Sequence, residues 1–153
     1  MSRDVQGRRI VPGQRIVFDT ATLLSAALRS SSPASRAFSL ALTTGVVCLS
    51  EPALDQLASV LARPSLDRYM SRRARAGFVS LLHRHAWLCP PPTIKTRGKS
   101  LSRTQSIKVL VAFTAAAEAD ALVASTPIPR FRSSRRTLPI LTPEEFIALY
   151  ASA

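Results

Sequence analysis

The sequence predicts an α/β fold: a three-layer α/β/α sandwich with a central, mostly parallel sheet of four to five strands. Short apolar runs that end in polar residues alternate along the chain with longer stretches of helical composition. This alternation is typical of strands that are buried on both faces and joined by helical crossovers. The length of 153 residues and the hydrophobic fraction of 46% favour one domain with a substantial core.

The first strand is the apolar run 16–18, which leads directly into Asp19 and Thr20. A polar, basic stretch precedes it, and we expect residues 1–14 to be a flexible leader and residues 15–153 to form the domain. In open α/β sheets, ligands bind outside the carboxyl ends of the strands. Asp19 is therefore the first candidate for a chemical role.

Further strands are predicted where short apolar runs recur, at residues 46–49, 86–88, 120–124 and 138–141. Helices are predicted from helical composition or from three-and-four apolar spacing, at residues 20–28, 34–42, 51–61, 72–84, 107–119 and 143–150. Some of these helices have clear start signals, among them Ser50, Ser71 and Thr142 as capping hydroxyls. Residues 93–106 are rich in Lys, Arg, Ser and Thr, and we expect them to form a loop.

Composition excludes several classes of protein. No apolar run approaches the roughly 18 residues of a membrane span, and no apolar segment follows the basic N-terminal stretch as it would in a secretory signal. We therefore expect a cytoplasmic protein without a membrane partner. Cys48 and Cys89 lack the spacing of a metal site, and Cys48, inside an apolar run, is expected to be a core residue. No glycine-rich phosphate motif follows a strand, so nothing supports a nucleotide site.

The chain is strongly basic, with 21 Lys and Arg against 9 Asp and Glu and a net charge of +12. One interpretation is contact with nucleic acid or another acidic partner, and the other is a solvated basic surface without a partner. The candidate phosphate contacts lie in the helix at 72–84, in the loop that follows it and near residue 130. They are Arg72, Arg73, Arg75, Lys95, Arg97, Lys99, Arg103, Arg130, Arg132, Arg135 and Arg136.

Five blocks, in this order and spacing, resemble a PIN domain. They are residues 16–26 (IVFDTATLLSA), 49–57 (LSEPALDQL), 60–64 (VLARP), 119–123 (ADALV) and 138–146 (LPILTPEEF). The chain is most similar to the PIN proteins that are toxin components of toxin–antitoxin systems, over nearly its whole length after Gln14. The resemblance implies a homo-oligomer, a cognate antitoxin, and metal-dependent cleavage of single-stranded RNA. It also implies a cluster of acidic side chains at the carboxyl edge of the sheet.

Most acids of such a site are replaced in this chain. The family's first acid falls on Asp19, and the threonine that follows it is kept as Thr20. The second, third and fourth acid positions fall on Gln56, Lys108 and Thr126. A single carboxylate is a poor site for Mg²⁺, which takes several oxygen ligands. We expect Lys108 to lie in the pocket, to repel a cation and to be a further phosphate contact.

Three hypotheses follow. The first is a degenerate PIN-like protein that needs no cofactor, has little or no nuclease activity and acts by binding nucleic acid or protein. The alternative is an active endoribonuclease that holds Mg²⁺ or Mn²⁺ at a rebuilt site, with Asp19 joined by Glu51 or Asp55. The third is a structural remnant that retains only self-association or antitoxin binding. The sequence does not separate the first hypothesis from the third.

Overall fold

Five parallel strands form the central sheet, in the order β3-β2-β1-β4-β5. They are β1 (Arg15–Phe18), β2 (Val46–Ser50), β3 (Trp87–Cys89), β4 (Ala121–Val123) and β5 (Ile140–Leu141). The structure is a computed structural model. It describes residues 2–3, 9–10, 15–90, 103–125, 132–133 and 136–150, and the side chains of 15–90, 106–125 and 138–150. The all-parallel sheet confirms the predicted fold class.

Helices cover both faces of this sheet. They are α1 (Thr20–Leu28), α2 (Pro33–Thr44), α3 (Glu51–Leu61), α4 (Arg72–His85), α5 (Arg103–Ala116) and α6 (Pro143–Tyr150), with a short 3₁₀ turn at Pro64–Leu66. None of the helices within the described ranges combines the length and the apolar character that crossing a membrane requires.

Alternate residues of the strands pack into two separate cores. Ile16 and Phe18 of β1 face the larger core, which takes in buried residues of α1, α2, α3, α4 and α6. In this core the ring of Phe18 meets Phe38 and Phe146 edge-on, at centroid distances of 5.9 and 6.4 Å. Val17 faces the opposite side, where Phe113 of α5 covers the sheet. The α/β/α layering therefore follows from the strand alternation.

The predicted capping residues stand at the helix starts. Ser50 accepts a hydrogen bond from the Ala53 amide at 3.2 Å, and Ser71 accepts one from the Ala74 amide at 3.1 Å. Thr142 and Glu145 exchange hydrogen bonds between side chain and backbone, at 3.1 Å in both directions. This reciprocal pair is a capping box, and it fixes the start of α6 next to β5.

The prediction of a loop over 93–106 is wrong for its last four residues. Helix α5 begins at Arg103, four residues earlier than predicted, and residues 91–102 lie outside the described part of the chain. The polar run 103–106 contains no glycine or proline, so it can form the first turn of the helix. The helix also ends earlier than predicted, because Glu118 has a positive φ of 52° and the Ala119 amide bonds to the Thr114 carbonyl at 3.2 Å.

Two short antiparallel ribbons lie outside the central sheet. One pairs residues 2–3 with 9–10, and the other pairs 132–133 with 136–137. The first ribbon falls within the stretch predicted to be a flexible leader, most of which lies outside the described residues. The flexibility of that leader stays a prediction.

Candidate functional site at the carboxyl edge of the sheet

The carboxyl ends of β1, β2 and β4 lie together at the edge where the sequence places the site. Asp19 follows β1 directly, and its backbone N–H donates to the carbonyl of Val123 at the end of β4, at 3.1 Å. Ser50 ends β2 and begins α3. The sheet edge is therefore assembled as an open α/β fold requires for ligand binding.

A cleft of about 520 Å³ opens between this edge and helices α3 and α5. Its lining is mainly apolar, and no lining residue among those described carries a charge. The lining residues are Val17, Phe18, Thr20, Leu23, Cys48, Leu49, Ser50, Ala53, Gln56, Leu57, Ser106, Val109, Leu110 and Phe113. Thr20 and Gln56, two of the predicted site residues, are thus on the wall of the cleft.

Asp19 caps helix α1 and is not on the cleft wall. Its Oδ1 accepts a hydrogen bond from the Thr22 amide at 2.9 Å, and the residue is only 7% exposed. The Thr22 hydroxyl in turn lies 2.8 Å from the hydroxyl of Ser125, which follows β4. The one acid that the resemblance predicts at the site and the chain retains therefore caps the start of a helix.

Lys108 is exposed and does not line the cleft, which corrects the expectation that it lies in the pocket. The cleft-facing residues of α5 are Ser106, Val109, Leu110 and Phe113, which share one helix face because of their three-and-four spacing. Lys108 is two positions from both Ser106 and Leu110, and such a spacing places it on the opposite side of the helix. Its charge therefore does not explain the lack of a metal site.

Other carboxylates do not gather at the cleft either. Glu51 and Asp55 are exposed on α3, whereas the cleft-facing residues of that helix are Ala53, Gln56 and Leu57. Asp120 lies at the opposite, amino end of β4, where its Oδ2 accepts from the Arg15 amide at 2.9 Å. Among the described residues, no group of three or more His, Cys, Asp or Glu side chains is arranged to hold a metal ion.

The two cysteines lie on the α5 side of the sheet, in neighbouring strands. Cys48 is 1% exposed and packs in the smaller core, as the sequence predicts, and Cys89 packs against the same core. A hydrogen bond with the Cys89 side chain, followed by burial, raises the pKa of Cys48 well above its usual range. Cys48 therefore presents a neutral thiol to the cleft, and a neutral thiol is a poor nucleophile.

The predicted phosphate contacts fall into different parts of the structure. Arg72 and Arg73 are exposed on the first turn of α4. Only the backbone is described for Arg103, Arg132 and Arg136. The predicted residues outside the described part of the chain are Lys95, Arg97, Lys99, Arg130, Arg135 and the family position Thr126.

Arg75 is buried, which corrects its assignment as a phosphate contact. It is 1% exposed, and its guanidinium donates to the carbonyls of Leu61 and Arg63 and to the carboxylate of Asp67. Its Nε also donates to the Met70 carbonyl at 3.2 Å. All five hydrogen-bond donors of an arginine point away from solvent in such an arrangement, so this residue holds the chain between α3 and α4.

No protein-family model matches the chain, and no curated protein matches it. The resemblance to PIN domains therefore stays a prediction, as do the activity and the partners that it implies.

Tyr69 and Asp67, in the connection between α3 and α4, are not among the site residues that the sequence predicts. The only signal for them was the density of arginine around them.

Proposed function

We propose that this protein is a degenerate PIN-like domain that binds single-stranded nucleic acid without metal and does not cleave it. The observation that carries the proposal is the cleft at the carboxyl edge of the sheet, whose described lining residues carry no charge. In the fold that the sequence resembles, this edge is where acidic side chains would hold the metal. Here the equivalent wall is apolar with a few hydroxyl and amide groups.

The residues that the structure describes at this edge do not fit a catalytic Mg²⁺ or Mn²⁺. Such ions need several oxygen ligands, commonly carboxylates, to compensate for the loss of their water shell. The polar groups on the cleft wall are neutral, and Leu49, Leu57 and Leu110 lie among them. Asp19 accepts a hydrogen bond from the Thr22 amide through its Oδ1 and is not among the residues that line the cleft. The rebuilt site of the alternative hypothesis also lacks support, since Glu51 and Asp55 are not on the cleft wall.

The charge supports a nucleic acid as the partner. The net charge of +12 attracts polyanions to the protein. Arg72 and Arg73 are exposed, and phosphate neutralisation by such residues supplies most of sequence-independent affinity. Binding of this kind needs no metal.

The experiment is fluorescence anisotropy of a labelled single-stranded RNA with the full-length protein, in a chelator and in Mn²⁺, over a series of salt concentrations. We expect equal affinity in the chelator and in Mn²⁺, a steep loss of affinity as salt rises, and intact RNA on a denaturing gel. Asp19→Asn is the matched control, and it should bind RNA as the unmodified protein does.

Two outcomes would contradict the proposal. Cleavage that requires Mn²⁺ and disappears in Asp19→Asn would establish the alternative, an active endoribonuclease. No binding of RNA under any condition would favour a structural remnant or a protein that binds only other proteins.

A further inference from the structure

We propose that the connection between α3 and α4 is a preformed surface for single-stranded nucleic acid, on which Tyr69 stacks against a base and exposed arginines contact the flanking phosphates. This inference rests on the proposed function and places its contact on named residues. We call this surface the arginine patch; it consists of Arg63, Arg68, Tyr69, Arg72 and Arg73.

The arginine patch concentrates positive charge that is free to meet a partner. Its four arginines are exposed, and the one acid in the same stretch is Asp67. Asp67 forms an ion pair with the buried guanidinium of Arg75 and a longer one, of 4.0 Å, with the exposed guanidinium of Arg72, so a single carboxylate faces all of these cations. The patch therefore keeps a positive charge that its own carboxylate does not neutralise.

Two of these arginines lie at an electrostatically unfavourable end of a helix. Arg72 and Arg73 open helix α4, whose first turn contains no acid. The helix dipole disfavours cations at this end, so the charges cost stability in the free protein. A phosphate in contact with these side chains would relieve that cost.

Tyr69 supplies the aromatic ring that stacking needs. It is 65% exposed, and with Leu149 it is one of two large hydrophobic residues left exposed among those described. The guanidinium carbon of Arg68 lies 5.8 Å from the centre of its ring. An exposed aromatic side chain among arginines is the combination that single-strand binding proteins use, because every base offers a face for stacking.

Arg75 makes the surface preformed. Its guanidinium joins the carbonyls of Leu61 and Arg63 to those of Met70 and Ser71. These four groups come from both ends of the connection, so the stretch that carries Tyr69 is held before any partner arrives. A surface that is ordered in the free state loses less conformational entropy on binding.

The tyrosine favours a single strand over the other polyanions. In a duplex the bases are already stacked on one another, whereas the unpaired bases of a single strand can stack on an aromatic ring. An acidic polypeptide would satisfy the arginines but offers no base to Tyr69. Dependence of the affinity on Tyr69 therefore separates these partners.

The test is fluorescence anisotropy with full-length protein and a labelled oligouridylate, beside an RNA duplex and polyglutamate as competitors. Tyr69→Ala is compared with Leu149→Ala, which removes an equally exposed hydrophobic side chain on α6. The double variant Arg68→Gln/Arg72→Gln is compared with Arg29→Gln/Arg36→Gln, which removes two exposed arginines elsewhere. Thermal unfolding, monitored by circular dichroism, checks that each variant is folded.

We expect Tyr69→Ala to weaken binding about 5-fold or more, which corresponds to the loss of one stacked base, and Leu149→Ala to leave it unchanged. The double variant at the patch should make the plot of log affinity against log salt concentration less steep, by about 1.4 in its slope. This is the change expected for two lost phosphate contacts on a single strand. Weaker competition by the duplex and by polyglutamate than by unlabelled oligouridylate would further support the proposal that this surface binds single-stranded nucleic acid.

The inference is overturned if oligouridylate binds but both Tyr69→Ala and the double variant match their controls. The proposed function would then stand, with its contact elsewhere on the chain. Competition by polyglutamate as strong as by oligouridylate would also overturn it and would indicate an acidic protein as partner. If the unmodified protein binds no oligouridylate at all, both the proposed function and this surface fail.

Discussion

The cleft at the carboxyl edge and the connection between α3 and α4 differ in charge. The fold suggests that the cleft is the charged region, but the charge lies at the connection. The cleft occupies the place where open α/β sheets bind ligands, and yet its described lining carries no charge. The connection is an ordinary link between helices, and four exposed arginines surround it. The fold thus fixes where a cleft forms, whereas the side chains decide which part of the surface meets a charged partner.

The two regions also use a buried charge in the same way. Asp19 beside the cleft accepts from a backbone amide at the start of α1. Arg75 beneath the connection donates to several backbone carbonyls. In both cases the charge satisfies backbone groups that the fold would otherwise leave without a partner.

Among the variants that test this comparison, removal of Arg75 should lower the free energy of unfolding the most. Arg75→Ala leaves several carbonyls and Asp67 without their donor, and we expect it to lower the free energy of unfolding by about 3 kcal/mol or more. Urea denaturation measures this loss. Arg73→Ala, two positions away and exposed, is the control and should change stability by less than about 0.5 kcal/mol.

Asp67→Asn sharpens the same point. The Asp67 side chain is 51% exposed, so its loss is partly compensated by water, and the carbonyl acceptors of Arg75 stay in place. We expect a cost of about 1 kcal/mol, well below that of Arg75→Ala. Equal costs for the two variants would mean that the ion pair, and not the set of carbonyls, holds the connection.

The hydrogen bond between Cys48 and Cys89, together with the burial of Cys48, predicts a pH effect on stability. The pKa of Cys48 in the folded chain is raised above the ordinary 9.0 by the Cys89 side chain and by burial, so the folded state keeps its proton after the unfolded state has lost it. Stability should therefore fall above pH 9.0, by up to about 1.4 kcal/mol per pH unit.

Denaturant unfolding between neutral pH and about one unit above the ordinary thiol pKa measures this slope. Cys48→Ala removes the titrating group, so its stability should fall less steeply than that of the unmodified protein over the same range. An identical slope in the two proteins would show that Cys48 does not stay protonated beside the cleft.

Substitution of Asp19 should have the smallest effect. Asp19→Ala removes the cap of α1 and should cost about 1 kcal/mol, whereas Asp19→Asn retains a capping oxygen and should be close to neutral. Thermal or urea unfolding of the pair measures the difference. A large loss in Asp19→Asn would show that the negative charge itself is needed, which a capping role does not explain.

The sequence alone predicts the strands of the sheet and most helix starts. Apolar runs such as 46–49 and capping residues such as Ser50 and Ser71 act locally, and local signals are readable without the fold. The position of Asp19 at the carboxyl end of β1 was predicted on the same basis. Its role as a cap is equally local, since an aspartate before a helix is a common start signal.

Two site residues could not be placed from the sequence, because their surroundings depend on distant parts of the chain. Arg75 lies among other arginines on a helix, and only the return of the chain from Leu61 to Ser71 surrounds it with acceptors. Lys108 lies on a helix with apolar residues on several sides, so the sequence does not fix which side faces the sheet. The rotation of α5 turns Lys108 away from the cleft.

The most direct test of the central claim is a calorimetric titration of the full-length protein with Mn²⁺, beside Asp19→Asn. Because the cleft wall carries no carboxylate among the described residues, we predict no saturable heat of binding for either protein. Saturable binding to the unmodified protein that disappears in Asp19→Asn would contradict the account. Asp19 would then be a metal ligand, and the protein would retain the site of an active nuclease.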